Sequence, residues 1–426
     1  MSLRITIVTF AWPPRNSIGA HRPYSWARYW AAAGAEVRVL TARKYDYDQP
    51  LDLTLPPLPG VEVIETDYAK GRVSLAQRLA RGPLKAPALW LYRRLRGKVA
   101  AVRNPREGWL AAVRPHLADL ATRSDVVVST YDPRMVHQIA ALMKTANPRL
   151  FWVADYRDLW SLNHAPDWTD AQRTAEAATE RATVAALADL VTSVSDDLAR
   201  AQGEWSAKPW LAVTNGFDVD LSAIREAIAR PLPPPSAPLR IVYTGKIYPG
   251  LRDPGPLLEE LLAMEAEGVI ARGAVVVDVY GGQVEGIEPM LRSGRFDHLL
   301  RLHGHVPREA ALAAQREADL LLMLESPLPE AKGVLTGKIF EYVATGVPIL
   351  SLGSRCDSAI GALLASTRTG LCTEDEPALI RNAVLERLHG QHPDWFAPDM
   401  AVIEGFSREA QATRLLSAIR DGMAAR

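Results

Sequence analysis

The stretch Gly333–Pro348 reads GVLTGKIFEYVATGVP. A glycine-bearing loop with Thr336 and Gly337 runs into Lys338 and Glu341, then into an apolar helical pattern that stops at Gly346. Loop N–H groups and a helix N-terminus present partial positive charge, and Lys338 adds a full one, so a phosphorylated ligand suits the layout. Glu341 follows one turn later, where a carboxylate can accept two hydroxyl hydrogen bonds from a ribose. The same residues also read as a plain helix start with a surface lysine and glutamate, and the stretch alone leaves both readings open.

A second chemical signal is local charge. No acidic residue lies between Asp67 and Glu107, whereas that window holds Lys70, Arg72, Arg78, Arg81, Lys85, Arg93, Arg94, Arg96, Lys98, Arg103 and Arg106. Leu91, Leu95 and Val99 recur at helical spacing beside Trp90 and Tyr92. A basic amphipathic segment with aromatic residues on its apolar side suits an anionic membrane surface, so residues 70–106 are expected to make that contact. A solvated basic face packed on its own domain is the alternative, and an anionic polymer is a third.

The elements that must position these groups alternate. RITIVTF (4–10), AEVRVLTA (35–42), VEVIET (61–66), DVVVSTY (125–131), LFWVADY (150–156) and LVTSVS (190–195) read as strands separated by helical patterns. PLPPPSAP (231–238) follows, a stiff extended connector. LRIVYTG (239–245), AVVVDVYGG (274–282), LLRLHGHV (299–306), ADLLLMLE (318–325) and VPILSLG (347–353) then repeat the alternation. Strands separated by helices imply parallel sheets with ligands at the strands' carboxyl ends. The expected organisation is a Rossmann-like domain over 1–230, a linker over 231–238 and a second Rossmann-like domain over 239–405. A helix over 406–426 is expected to pack back toward the first domain.

At 426 residues the chain exceeds one ordinary core, and its 48% apolar content is that of a soluble globular protein. Lys+Arg equal Asp+Glu at 49 each, so overall charge gives no reason to expect nucleic acid. Two cysteines, Cys356 and Cys372, make neither a disulfide framework nor a Cys/His metal pattern, which fits a reducing cytoplasm. The N-terminal MSLRITIVTF lacks the layout of a signal peptide, and the longest apolar runs are too short to span a bilayer. Any membrane contact is therefore expected to be peripheral, on the inner face of the cell membrane.

In order and spacing these pieces resemble a retaining glycosyltransferase of the GT-B fold, close to family 4. VTFAWPPRNSIGAHRPYSWARYWAAAGAEVRVLTA resembles the family's first strand, loop and helix, and VTNGFDVD (213–220) its signature before the hinge. IVYTGKIYPGLRDPGPLLEEL (241–261), LRLHGHVPREAALAAQREADLLLML and LTGKIFEYVATGVPIL resemble the donor domain. LFWVADYRDLW (150–160) resembles a subgroup with an acidic–Arg–Asp motif at a strand end. The resemblance implies an α/β fold of two Rossmann-like domains facing each other across a cleft, the first (1–230) binding the acceptor and the second (239–405) the nucleotide sugar. It also implies transfer of a hexose-type sugar from a nucleotide diphosphate sugar to an acceptor hydroxyl, with no cofactor beyond that co-substrate. The basic segment adds a lipid-linked or surface-polysaccharide acceptor to the expectation; a small-molecule acceptor fits if that segment is only a solvated face.

By the same resemblance, Gly245 and Lys246, at and after the strand end, with Arg252 and Lys338, would face the diphosphate, whose charge grows as the glycosidic bond breaks. Glu341 would take the ribose, the His305–Val306 backbone the base edge, and Gly19 would let backbone approach the phosphates. Many relatives carry a glutamate eight residues before Glu341; here that position is Gly333. The sugar would instead be held by backbone N–H groups over 333–336, including Gly333 and Leu335, and by the Thr336 hydroxyl. In the first domain Asp155 and Asp158, flanking Arg157, are candidates to touch the donor sugar or orient the acceptor, the alternative being an internal Asp–Arg pair. His21, Arg22, Trp12 and Trp160 are the candidate acceptor contacts. A nucleotide-sugar epimerase of the same fold and a non-catalytic sugar-binding subunit are the competing readings.

Overall fold

The computed structural model describes residues 2–48, 50–68, 106, 108–163, 168–247, 251–281 and 288–426. Of the basic segment 70–106 only Arg106 falls within them, so the expected membrane-facing helix lies outside the described residues.

The chain forms two compact units. The first comprises Met1–Ser193, Ala199–Ala212 and Ala412–Arg426. Its sheet contains β1 (Arg4–Thr9), β2 (Glu36–Ala42), β3 (Val61–Thr66), β4 (Val126–Tyr131), β5 (Phe151–Tyr156), β6 (Leu190–Ser193) and β7 (Trp210–Ala212). The order is β3-β2-β1-β4-β5-β6-β7, every neighbouring pair parallel. Central strands of such a sheet are covered on both faces, and β5 is buried at every position. The edge strand β3 instead exposes Glu62 and Val63. Beneath the sheet lie Trp109, Trp152 and Trp160, all fully buried; Trp26 and Trp30 stack 5.7 Å apart on the helix Ile18–Ala32. Trp30 Nε1 donates to the Ala412 carbonyl, which ties the chain's last residues into this unit.

The second unit comprises Val194–Leu198 and Val213–Gln411. Its strands are β8 (Leu239–Thr244), β9 (Val275–Tyr280), β10 (Leu300–Gly304), β11 (Leu320–Leu324), β12 (Ile349–Leu352) and β13 (Gly370–Cys372). The order is β10-β9-β8-β11-β12-β13, again all parallel. Both sheets reverse strand order beside their first strand, between β1 and β4 and between β8 and β11. Such a switch point opens a crevice at the carboxyl ends.

The division falls at 212/213 and not in the Pro-rich stretch 231–238. That stretch is fastened to the second unit: Ser236 N–H and its hydroxyl both donate to Asp319, and Arg387 donates to the Pro233 carbonyl. Residues 213–230 group with the same unit, where Phe217 exchanges backbone hydrogen bonds with Phe406 and Arg408. Two strands, β7 and β13, were not anticipated. Each has three residues, too few to show a period.

Candidate functional site

A cavity of about 260 Å³ opens in the second unit. Thr244, Gly245 and Lys246 line it from the end of β8, and Tyr280 and Gly281 from the end of β9. His305, Val306 and Arg308 line it after β10, with Gln315 on the helix Arg308–Arg316 and Glu341 on the helix Gly337–Val343. Five of the residues singled out from the sequence thus meet at one opening: Gly245, Lys246, His305, Val306 and Glu341. Lys246 and His305 are exposed, so both are open to a ligand. Glu341 pairs with Arg308 at 2.7 Å at the rim. Tyr280 stacks on His303, centroids 4.2 Å apart, and His303 is anchored by Asp278 at 2.7 Å.

The floor of this cavity carries an unmet acceptor. Gln315 is 1% exposed; its Nε2 donates to Thr244 Oγ1 at 2.9 Å, while its Oε1 has no partner. Tyr342 OH accepts from Thr244 N–H and so locks the strand end from below. A buried acceptor without a donor costs about 1–3 kcal/mol, so it marks a place where a ligand's donor is worth that much.

Lys338 stands against the same strand end. Its Nζ lies 4.0 Å from the Tyr243 ring centroid. Gly245 has φ +145°, and a Cβ there would fall 2.5 Å from that amine, so a glycine is required. Burial lowers the Lys338 pKa, and the nearby Arg252 lowers it further against the pull of Glu325 and Glu341. Glu325, just past β11, is pushed up by burial against the attraction of Arg252 and Lys338, and its Oε1 has no partner. Lys338, Arg252 and Glu325 therefore form one electrostatic group.

In the loop 333–336 the Val334 N–H already donates to the Ala331 carbonyl at 2.8 Å. Leu335 is a core residue, 6% exposed and packed with Ile339 and Phe340. A Cβ at Gly333 would sit 2.8 Å from Leu198 Cδ2, and the Gly333 carbonyl accepts from Ser195 Oγ at 2.6 Å. The position has no room for a glutamate without moving Leu198. Thr336 occupies the N-cap position of a seven-residue helix, yet its buried Oγ1 caps nothing and has no partner.

In the first unit the candidates divide sharply. Asp155 is fully buried and accepts from Arg22 Nε at 3.0 Å, Arg22 Nη2 at 2.6 Å, Thr130 at 2.7 Å and Thr192 at 2.7 Å. Arg22 is 3% exposed and lies over Trp26, 4.7 Å from its centroid. These two, expected to touch substrate, are instead each other's partners inside the core. Trp160, expected to stack on a sugar, has no exposed ring and donates to Glu176 at 2.6 Å. Trp12 is 7% exposed and tilted against Tyr24. His21 is half-buried. Asp158 is exposed, with only a long 3.4 Å contact to Arg157 Nε. A Cβ at Gly19 would collide with Arg157 Nη1, so the glycine makes room for that guanidinium.

Sequence reasoning passed over Arg308, Tyr280, Gln315 and Glu325. Arg308 had a signal, lying three residues past His305; the others are recognisable only once β8, β9 and β11 are side by side. Among the described residues no group of three or more His, Cys, Asp or Glu is arranged to hold a metal ion. No helix among them is long and apolar enough to cross a membrane.

No family model matches the chain, and no curated protein matches it either. Solved structures do. An alpha,alpha-trehalose 6-phosphate synthase from Burkholderia multivorans shares 11% identity at a TM-score of 0.56, with 100% of each chain covered. A trehalose-6-phosphate structure from E. coli bound with UDP-2-fluoro glucose shares 13% at 0.57, covering 98% of both chains. The N-terminal domain of a Candida albicans trehalose-6-phosphate phosphatase shares 11% at 0.58, covering 99% of this chain and 97% of that one. Likeness at this level of identity is likeness of architecture, and the architecture, two Rossmann-like units each with its own parallel sheet, is the GT-B fold.

Proposed function

We propose that this chain is a glycosyltransferase that uses a nucleotide diphosphate sugar. The observation that carries the reading is the cavity at the carboxyl ends of β8, β9 and β10, where Gly245, Lys246, the His305–Val306 segment and Glu341 meet. Its volume suits a nucleoside. Glu341, held by Arg308, would accept the ribose hydroxyls, and the Val306 backbone and Gln315 Oε1 would face the base. Lys246, Arg252 and Lys338 would surround the diphosphate. As the glycosidic bond breaks, negative charge grows on that leaving group, and cations already in place lower the barrier without reorganising. Gly245 leaves backbone and Lys338 room to approach it.

The finer reading is transfer of a hexose with retention, without a metal, because Lys246, Arg252 and Lys338 supply the charge a metal would otherwise bring. The leaving phosphate itself would take the acceptor proton in a front-side reaction. This agrees with the first unit, where Asp155 is already consumed by Arg22 and only Asp158 is exposed. The acceptor is read as lipid-linked or polysaccharide and the location as the cytoplasmic face of a membrane; the basic composition of 70–106 supports both.

The test is a titration of the protein with UDP, GDP, dTDP and ADP, then with their sugar conjugates, in the presence of chelator. Selective binding of one nucleotide is expected, weakened about 10- to 100-fold in Glu341→Ala and Lys246→Ala, the range for losing one charged hydrogen bond or more. Release of free nucleoside diphosphate with sugar on an acceptor completes the case. Binding that is absent, or equal in both folded variants, overturns it.

A further inference from the structure

At the carboxyl ends of the first sheet, three cations share one aromatic ring. Phe10, just past β1, is fully buried and edge-on to Tyr68 and Trp109. Lys44 Nζ lies 4.8 Å from its centroid, Arg106 4.9 Å and Arg15 5.5 Å. Arg15 comes from the loop after β1, Lys44 from the segment after β2 and Arg106 from two residues before the helix Gly108–Val113. A fourth cation, Arg157 after β5, interacts with Arg15 and lies in the space left by Gly19.

Four carboxylates, Asp48, Asp132, Asp158 and Glu65, act on these cations, yet among the described residues none lies within ion-pair distance of Arg15. Asp48, 1% exposed, is taken by Arg106 at 3.0 Å, the Tyr68 hydroxyl at 3.0 Å and Tyr45 N–H at 3.1 Å. Asp132, after β4, is raised by burial even though Arg157, Arg106 and Arg15 all attract a negative charge there. Asp158 reaches only Arg157, and loosely. Lys44 donates to Thr41 Oγ1 and the Ala42 carbonyl, and burial lowers it to about 8, with Arg15 and Arg106 adding to the effect against Glu65 and Asp48. The Arg15 guanidinium has neither a hydrogen bond nor an ion pair among the described residues, and Arg106 and Arg157 lower its pKa beyond what burial does.

A ring face attracts one cation well, but three heads around it repel one another, more strongly the less water screens them. A protein keeps such a cluster where an anion completes it, and arginine is the side chain suited to the planar, forked recognition of phosphate and carboxylate.

We propose that Arg15, Lys44, Arg106 and Arg157 form an anion site in the first unit that takes a phosphate or carboxylate group carried by the acceptor. The word "acceptor" rests on the transferase reading; the anion site does not. The site accounts for a guanidinium with no hydrogen bond or ion pair among the described residues and for a glycine that makes room for Arg157. It narrows the acceptor from any hydroxyl compound to an acidic one.

Inorganic phosphate, glucose 6-phosphate, glucuronate and farnesyl phosphate are titrated into the full-length protein, with glucose as the neutral control. At least one anion is expected to bind ten times more tightly than glucose or better, and to weaken with added salt as screening requires. Arg15→Gln and Arg157→Gln should each cost about tenfold, and Lys338→Met in the other unit should leave this binding unchanged. Glucuronate binding alone assigns a carboxylate, glucose 6-phosphate a soluble phosphate, and tighter farnesyl phosphate binding a lipid-borne one. Arg15 loses its 5.5 Å approach to the Phe10 ring but no hydrogen bond or ion pair among the described residues, so an unchanged melting temperature for Arg15→Gln guards against misfolding as the cause. The proposal is overturned if no anion exceeds glucose, or if Lys338→Met removes anion binding while both arginine variants keep it. A parallel nucleotide titration separates the two readings: nucleotide without anion binding sinks this site alone, and anion without nucleotide binding sinks the transferase reading alone.

Discussion

Asp155 in β5 of the first sheet and Glu325 just past β11 of the second are both buried carboxylates near the carboxyl end of a parallel strand. Asp155 is held by Arg22, Thr130 and Thr192, partners that neutralise it and meet its lone pairs. Glu325 has an oxygen with no partner, as do Gln315 and Thr336 in the same unit. One topology thus serves two ends. A buried charge with complete partners is a fixture of the architecture, expensive to break and not free for anything else. Gln315 Oε1, left open where it lines the cavity, is a standing cost that a ligand can remove. The contrast says which polar residues of the GT-B scaffold to regard as chemistry, and it can be attacked directly.

The largest effect is expected from the satisfied end. Asp155→Asn leaves Arg22 buried without a counter-charge, which should cost about 3–5 kcal/mol. Urea unfolding followed by a first-unit tryptophan signal reads it. Nucleotide affinity of the folded protein should be unchanged. Full stability with lost turnover would instead put Asp155 among the reacting groups and erase the contrast.

His137 in the first unit, whose Nε2 has no partner among the described residues, adds a pH axis. It is fully buried among Tyr131, Trp152, Tyr156 and Trp160, and its Nδ1 is 2.8 Å from Ser129 Oγ. Burial pushes its pKa down to about 3, against a small upward pull from Asp155. The unfolded chain takes up this proton near pH 6.5 and the folded chain does not. Its contribution is therefore complete above about pH 6.5 and is lost as pH falls toward 3, at about 1.4 kcal/mol per pH unit. The difference in stability between wild type and His137→Gln, followed from pH 6 to pH 4, should shrink at that slope. A difference that stays constant would mean that His137 is protonated in the fold.

What the sequence disclosed and what it hid follow the same line. Strands such as LLLML at 320–324 are apolar on both faces, and a parallel sheet needs that, so their order along the chain was legible. Gly245, Lys246, His305, Val306 and Glu341 could be gathered because each sits at a fixed offset from a strand or helix end. The fate of Asp155 was not legible. Its partners lie 133, 25 and 37 residues away, and no local pattern says that Arg22 will turn inward to meet it. Trp160 misled for the same reason: an aromatic ring in a loop sequence reads as available until packing closes over it. Gly333 shows the reverse, an unexpected glycine with a cause in the fold, since Leu198 fills the space a side chain would need.

The smallest effect makes the finest test. Gln315 has one foot in each camp: its Nε2 is spent on Thr244, and its Oε1 faces the cavity unmet. Gln315→Leu removes a bond worth roughly 0.5–1.5 kcal/mol and also removes an unsatisfied buried acceptor, so the two terms oppose and stability should shift little. Nucleotide affinity should fall several-fold, because the ligand's donor then meets a methyl group. Calorimetry of both variants with the preferred nucleotide decides the matter. A fall in affinity at constant stability places Gln315 with Glu325 and Thr336 as a residue waiting for a ligand. A fall in stability at constant affinity makes it a second Asp155, and the line between the two ends of the molecule would then run through the cavity itself.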